Sequence, residues 1–467
     1  MTYQVINPLT GNQETEFDKT TDEQVEQALQ RGHQYYVEQA LQRGHQYYVD
    51  QRQVGFVTRA KQLAMIADSF RQNVELLAKM AASNMGKLYQ EGLGEANAAA
   101  NIAQYYADNG PQALVDKPYT YLDNQKAVLR YESTGIVLAV EPWNFPYTQV
   151  MRVFAPNFLL GNPVILKHSH LVAGCADLFQ ELVWATDVDR GAFQNLFIDS
   201  QQVGKMIADM RVQGVALTGS ANAGSAVAAE AGKAMTKSTL ELGGNDAFVV
   251  LSDADVGQAV KDGATSRLRN AGQVCTSAKR FIVHQDVADQ FIDGMVQEFE
   301  SRYPGSPLDQ STTLAPLASK DAQMHLQRQV DLAVEDGAKV LVDGGAIESE
   351  PGNFFKPVLL KMTPSNSMYD EEFFGPVGQI YVVKDDEEAV ALANLSQFGL
   401  AGAVYSQSPK HARTVANQME TGQIFINQPS NGYPQLPFGG IKNSGYGREM
   451  SDLALYEFAN QKMIALG

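Results

Sequence analysis

Cys275 lies in Asn270-Ala-Gly-Gln-Val-Cys-Thr-Ser-Ala-Lys-Arg280, where a helical pattern stops at Gly272 and a strand pattern begins at Arg280. A thiol on such a connection is well placed to react, because loops held by rigid elements commonly display working groups. With a pKa near ~8.5 it is only a few per cent thiolate at neutral pH, so a nucleophilic role needs nearby cations or oriented amides. A second segment, Glu241-Leu-Gly-Gly-Asn-Asp246, sets a carboxylate directly before a Gly-Gly turn between two apolar stretches. A carboxyl in a mostly apolar pocket keeps its proton to higher pH and can exchange it with water. A third, Pro142-Trp-Asn-Phe-Pro146, fixes the backbone on both sides of two aromatics and an amide. The Asn144 amide could donate to a developing oxyanion, a role worth roughly 100- to 1000-fold in rate. Taken singly, each segment also reads as plain structure: a packed Cys, a Glu beside a turn, a rigid corner.

These groups need elements to hold them. Residues 55–110 follow a helical pattern, with Leu63, Ile66, Phe70, Leu76, Leu77 and Met80 as its apolar positions. Strand patterns at 126–131 and 135–140 are followed by regular alternation. A strand at 164–167 precedes a helix from about 171, and 212–218 runs through Gly219-Ser220 into an Ala-rich helix. A short buried strand spans 247–251, Asp253 or Asp255 fits the next helix cap, and a strand at 280–284 precedes a helix from about 286. Such alternation implies an α/β architecture of parallel sheets covered by helices, with at least one doubly wound domain.

The chain has 467 residues, enough for two or three domains, and 53 Asp and Glu against 36 Lys and Arg give a charge of −17. That acidity argues against nucleic acid or an anionic membrane surface as a partner. No apolar run approaches the ~20 residues that cross a bilayer. The N-terminal residues carry neither a basic segment nor an apolar export signal, and two cysteines are too few for a stapled scaffold, so the cytoplasm is the expected compartment. Cys175, in a helical pattern, is expected to be an inert packed residue. His168-x-His170 has no further ligand cluster nearby, so no metal is expected. The twelve residues at 25–36 recur unchanged at 37–48. Twelve residues turn a helix by about 1200°, so the copies' apolar faces would point apart. A local duplication within one surface helix, or an artefact, is the reading.

Pro142-Trp-Asn-Phe-Pro146, Glu241-Leu-Gly-Gly, Gly272-Gln-Val-Cys275, Glu372-Phe-Phe-Gly-Pro376 and Pro437-Phe-Gly-Gly440 occur in the order and rough spacing seen in the aldehyde dehydrogenase superfamily. By this resemblance Cys275 is the nucleophile, Asn144 with the Cys275 N–H the oxyanion hole, and Glu241 the base that lets water release the acid. The resemblance implies that Trp143, Lys167, Ser169, His170, Gly219, Ser220, Glu372 and Phe374 meet a nicotinamide dinucleotide. It also implies a doubly wound nucleotide-binding domain (1–117 and 137–241) and an α/β catalytic domain (242–443). A small β oligomerisation arm (118–136 and 444–467) would build a homodimer or homotetramer. Many NAD-preferring members carry a Glu where this chain has His170. Without that carboxylate a 2′-phosphate meets no like charge, so NADP is the expected cofactor and NAD the alternative. The Lys-His string, Arg152 and Arg269 resemble the bacterial succinate-semialdehyde dehydrogenases, in which two arginines grip the substrate's distal carboxylate. As structural ion-pair residues they would suit an uncharged aldehyde instead. The loop Ser430–Leu436 lacks the Asp and Arg of similar bacterial enzymes, which leaves substrate size and charge open. A non-redox thiol hydrolase is the reading from a different class.

Overall fold

The computed structural model describes residues 3–17, 48–50, 54–349 and 351–466. Most of the duplicated 25–48 segment lies outside them.

Two large sheets carry the molecule. The first has six strands in the order Gly445–Tyr446, Lys237–Glu241, Val212–Thr218, Ile136–Glu141, Val164–His168, Phe193–Asn195, parallel except for the first. Chain order reverses between Ile136–Glu141 and Val212–Thr218. In doubly wound sheets the crevice beyond the carboxyl ends at such a reversal is where ligands bind. The carboxyl ends here lead directly into Pro142–Pro146 and Gly219-Ser220. The second sheet has seven strands: Lys339–Val342, Val358–Lys361, Val377–Val383, Arg280–His284, Ala247–Val250, Ala401–Tyr405 and Gln423–Ile426. Only its first strand is antiparallel. Residues 242–246 alone link Glu241, at the carboxyl end of the first sheet, to Ala247, at the start of the second. A third, antiparallel sheet joins Lys117–Thr120, Lys126–Glu132 and Asn460–Leu466, and it is largely exposed.

The helices Phe56–Gln72, Val74–Met85 and Tyr89–Ala113 pack with Thr148–Leu160 into one core. Leu63, Ile66, Phe70 and Leu77 are buried there, but Leu76 faces solvent and Met80 is only half-buried, because one helix face cannot turn both Leu76 and Leu77 inward. Phe70, Phe179, Phe154 and Phe193 cluster at 4.9–6.1 Å, edge to face except for the tilted Phe179–Phe193 pair. Arg59 closes the end of Thr148–Leu160: its Nε donates to Leu159 O at 2.7 Å and its Nη2 to Leu160 O at 3.2 Å. Those carbonyls have no partner within the helix.

Two expected boundaries shift. The helix after Val164–His168 starts at Ala173, behind a 3₁₀ turn at His170–Val172 that Ser169 caps. The helix before Cys275 ends at Leu268, not at Gly272. Asn270 and Ala271 already have left-handed φ of 52° and 51°, continued by Gly272 at 73°. Asp255 is the cap of that helix, accepting from Gln258 N at 3.1 Å. Cys175 is buried as expected, with its thiol pushed up to about 12 by burial.

His168 is fully enclosed. Its Nε2 lies 3.0 Å from Pro146 O, and its Nδ1 lies 2.9 Å from Ser169 N and 3.2 Å from Glu141 O, so the ring ties the end of Pro142–Pro146 to the adjoining strand. Burial pushes its pKa down to about 4. The neutral form is therefore favoured by the fold, and this stability is whole above ~6.5 and lost as pH falls through ~6.5 towards 4. Urea unfolding at pH 8 and pH 5 should show about 2 kcal/mol more acid loss in the parent than in His168→Gln. Equal losses in both proteins would rule out His168 as the titrating group.

Candidate active site

Cys275 opens onto a cavity of about 420 Å³ whose wall also includes Arg152, Arg269, Phe145, Phe438 and Tyr433. The cavity thus gathers residues from distant parts of the chain: Lys87 and the helix Tyr89–Ala113, Phe145 and the helix after it, the Cys loop, the loop 431–434, and Phe438 with Met450. Arg152 lies over the Phe438 ring at 4.3 Å and is 3.7 Å from the Glu449 carboxylate. Arg269 lies 5.7 Å from the Phe145 ring centre and donates to Asn431 Oδ1 at 3.4 Å. The Ser430–Leu436 loop thus meets Arg269 with an amide rather than an acid.

The Cys loop and the Pro142–Pro146 turn interlock through buried backbone carbonyls. Asn144 Nδ2 donates to Gln273 O at 3.0 Å, and Asn270 Nδ2 donates back to Asn144 O at 3.0 Å. Gln149 Nε2 donates to Asn144 Oδ1 at 3.0 Å, so the Asn144 amide is held in one orientation. Of the two N–H groups on that amide, Gln273 takes one. Lys87 Nζ also donates to Asn144 O, at 2.8 Å, and pairs with the buried Glu95 carboxylate. Glu95 Oε1 in turn accepts from Tyr147 N and Thr148 N at 2.8 and 3.3 Å. Glu91, on the same helix, accepts from Asn270 N at 2.8 Å, which stabilises the left-handed turn there. Gly272 has to be glycine for a second reason: a Cβ would fall 2.1 Å from Gly375 O.

Burial pushes the Cys275 thiol up to about 11, with Lys279 and then Arg152 pulling the other way and Glu372 and Asp246 pushing with burial. The local cations expected from the sequence are present, but desolvation outweighs them. Glu241 does not line the cavity. It is buried behind Gly439, where a Cβ would come 2.7 Å from its Oε1, and neither carboxylate oxygen has a hydrogen-bond partner among the described residues. Burial first, and then Glu449, hold its carboxyl well above the usual carboxylate range, against Arg152 and Arg448. Glu141, also buried, is raised in the same way by burial and by Glu449.

At the first sheet's crevice, Trp143 meets Phe374 edge to face with ring centres 5.8 Å apart. Glu372 Oε1 accepts from Lys279 Nζ at 2.9 Å and from Gly244 N at 3.3 Å. A Cβ on Gly243 would come 2.3 Å from Glu372 Oε2, so the Gly-Gly turn is what admits this carboxylate. Ser220 caps the helix Ala221–Ala234, accepting from Ala223 N at 3.3 Å, and the first helical residues are exposed. Gly219 donates its N–H to Glu241 O at 2.9 Å. Lys167 is half-buried, its pKa lowered by burial with Asp199 opposing; Ser169 is half-buried and His170 exposed.

The chain therefore brings Cys275, Arg152 and Arg269 around one cavity, with Asn144 buried behind its wall on Gln273 O, while Trp143 meets Phe374 outside that lining. Lys167, Ser169, His170, Gly219 and Ser220 follow carboxyl ends of the first sheet. Sequence reading passed over Lys87, Glu91, Glu95, Lys279 and Glu449. Lys279 stood inside the Cys275 segment, but neither spacing nor periodicity tells a buried ammonium from a solvated one. None of the described residues form a group of three or more potential metal ligands.

A profile of the aldehyde dehydrogenase family matches residues 1–464. The chain is 41% identical over 463 residues to the NADP(+) succinate-semialdehyde dehydrogenase of Deinococcus radiodurans, spanning 99% of this chain and 94% of that protein. It is 39% identical over 456 residues to the NAD(P)+ succinate semialdehyde dehydrogenase of Escherichia coli K12, spanning 97% and 96%. A crystal structure of succinic semialdehyde dehydrogenase from Streptococcus pyogenes in complex with NADP+ is similar at a TM-score of 0.94 and 44% identity, covering 99% of both chains.

Lys87→Met would leave Glu95 charged, buried and unpaired. Denaturant unfolding should show a loss of about 3–5 kcal/mol, and a loss below about 1 kcal/mol would mean the pair is not what secures the turn.

Proposed function

The chain belongs to the aldehyde dehydrogenase family, and from that premise we propose that it oxidises succinic semialdehyde to succinate with NADP. The observation that carries the substrate is the pair of guanidiniums, Arg152 and Arg269, in the wall of the cavity that Cys275 opens on. A planar guanidinium binds a carboxylate through two parallel hydrogen bonds, and two of them suit the distal carboxylate of a four-carbon semialdehyde. The names of the similar proteins from Deinococcus radiodurans and Streptococcus pyogenes point to the same substrate.

Cys275 Sγ attacks the aldehyde carbon, and the carbonyl oxygen becomes an oxyanion that the Asn144 amide and the Cys275 N–H stabilise. A nicotinamide dinucleotide held beside Trp143, Glu372 and Phe374 would supply the two-electron acceptor that oxidation of this adduct to a thioester requires. Glu241 then takes a proton from water. Its carboxyl, raised by burial, is a stronger base than a solvated one, which matches it to that task. Water's oxygen bonds to the acyl carbon, the C–S bond breaks, and Cys275 is restored as the acid leaves. Glu241 has to turn from its pocket behind Gly439 to do so.

The residues fit the cofactor. The open first turn of Ala221–Ala234, capped by Ser220 after Gly219, offers N–H groups and positive potential to a pyrophosphate. Trp143 and Phe374 bound the nicotinamide side, where Glu372 would meet a ribose. Lys167, Ser169 and His170 offer donors and no carboxylate to a 2′-phosphate, while NAD remains an acceptable alternative. In this reading residues 1–117 and 137–241 hold the nucleotide, 242–443 the nucleophile, and 118–136 with 444–467 the subunit contact. The exposed Tyr119, Met463 and Leu466 on the three-stranded sheet support pairing into a cytoplasmic homodimer or homotetramer.

A second reading, an uncharged aliphatic or aromatic aldehyde, draws on the 3.7 Å approach of Arg152 to Glu449, which would make that arginine structural.

Initial rates of nucleotide reduction separate the two. Turnover of succinic semialdehyde should exceed that of butanal and benzaldehyde by at least about tenfold, and faster neutral aldehydes would discard the arginine pair as the substrate clamp. Cys275→Ala should abolish oxidation while nucleotide still binds, and surviving oxidation would remove Cys275 as nucleophile. Glu241→Gln should let the thioester accumulate by roughly 100-fold slower deacylation, read by quenched-flow mass spectrometry. His170→Glu should raise KM for NADP more than tenfold, by roughly one like-charge repulsion, with NAD little changed. An unchanged NADP KM would place the 2′-phosphate elsewhere.

A further inference from the structure

Lys279 has no solvent exposure, yet it carries a charge directly behind the nucleophile. Its ammonium donates to Val274 O at 3.0 Å, to Cys275 O, and to Glu372 Oε1 at 2.9 Å. An ammonium has three N–H groups, and these three acceptors use all of them. Its backbone is pinned as well, since Lys279 N donates to Asp246 O at 3.2 Å and Lys279 O accepts from Gln379 N at 3.0 Å. The side chain therefore has one arrangement available.

We infer that Lys279 is a positioning residue for the nucleophile: it aims the Cys275 N–H at the reacting oxygen and favours the thiolate by its charge. The first part follows from peptide geometry. The Val274–Cys275 peptide is planar and trans, so its C=O and N–H point in opposite directions. Lys279, with the Ser277 hydroxyl at 3.1 Å and the Ser277 N–H at 3.3 Å, draws the Val274 carbonyl to one side and so turns the Cys275 N–H to the other, away from the ammonium. The second part follows from the charges around the thiol. Lys279 and Arg152 favour the thiolate, Glu372 and Asp246 oppose it, and Arg269 also senses it. Lys279 is thus the larger of the two cationic influences that counter the desolvation of Cys275, and Glu372 cancels part of its effect because the two are in contact. The inference rests on Cys275 being the nucleophile and deepens that reading.

The test is the rate at which iodoacetamide alkylates Cys275 as a function of pH, followed on the Cys275 peptide by mass spectrometry in the full-length protein without nucleotide. Lys279→Met should move the midpoint up by about one unit or more, an alkylation roughly tenfold slower at pH 8. Glu372→Gln should move it down, and Lys279→Arg should stay nearer the parent than Lys279→Met does. In the oxidation assay Lys279→Met should lose far more in kcat than it gains in KM. A Lys279→Met profile that superposes on the parent overturns the inference. Should Lys279→Met not fold, an unmoved or raised midpoint in Glu372→Gln overturns it instead. Oxidation that survives in Cys275→Ala would defeat the reading beneath; an unmoved profile in an enzyme that Cys275→Ala inactivates defeats only the role of Lys279.

Discussion

The site depends on giving hydrogen-bond donors to a few backbone carbonyls buried where the two large sheets meet. A reactive thiol on a loop brings its own peptide groups into a dry region, and each one left without a partner costs roughly 1–3 kcal/mol. Asn144 O, Gln273 O, Val274 O and Cys275 O all lie there, and all accept from side chains: Lys87, Asn270, Asn144 and Lys279. Those donors do more than satisfy acceptors. Asn144 and Asn270 join the Cys loop to the Pro142–Pro146 turn, Lys87 ties that turn to Glu95, and Lys279 ties the loop to Glu372, so the bonds that satisfy these acceptors also fix Cys275 against the turn and Glu372.

Burying so many donors brings charge with them, and the charges are arranged in opposed sets. Lys87 is balanced by Glu95, Lys279 by Glu372, and Arg152 by Glu449 at longer range. Glu241 and Glu141 have no such partner in hydrogen-bond contact, and their carboxyls rise accordingly. The distinction separates roles. A cation that holds a carbonyl has to stay charged, so it is paired; a carboxyl that exchanges protons with water works best unpaired and near the point of titration.

Much of this was legible beforehand. The alternation of strands and helices from 135 to 300 is strong because the elements carry their own apolar faces and several helices their own caps, such as Ser220 and Asp255, and the expected elements agree with the observed ones within a few residues. Boundaries failed where tertiary contacts override the local pattern. Gly272 looks like the helix stop, but Glu91 captures Asn270 N and the turn begins earlier, with two non-glycine residues in the left-handed region. Such residues cost about 1–2 kcal/mol each and persist only where surroundings hold them. Cys275, Glu241 and Asn144 were visible because they sit in unusual local sequence. Lys279, Lys87 and Glu95 were not, since a lysine in a strand's approach or a glutamate on a helix is ordinary until burial makes it costly.

The short link 242–246 ties these threads together. It leaves Glu241 at the end of one sheet and enters Ala247 at the start of the other, passing Gly243 against Glu372 and Gly244 within 2.9 Å, at the Cβ position, of Cys275 O. Five residues cannot span two sheets, avoid a carboxylate and pass a buried carbonyl if any side chain stands at those two points. The Gly-Gly pair is therefore a condition for bringing the edges of the sheets together, and the closeness of Glu372, Lys279 and Cys275 follows from it. Glu241, the proposed base, lies at one end of this link because that is where the first sheet stops. Cys275, the proposed nucleophile, lies beside its other end because the strand Arg280–His284, which the Cys loop enters, is paired with Ala247–Val250.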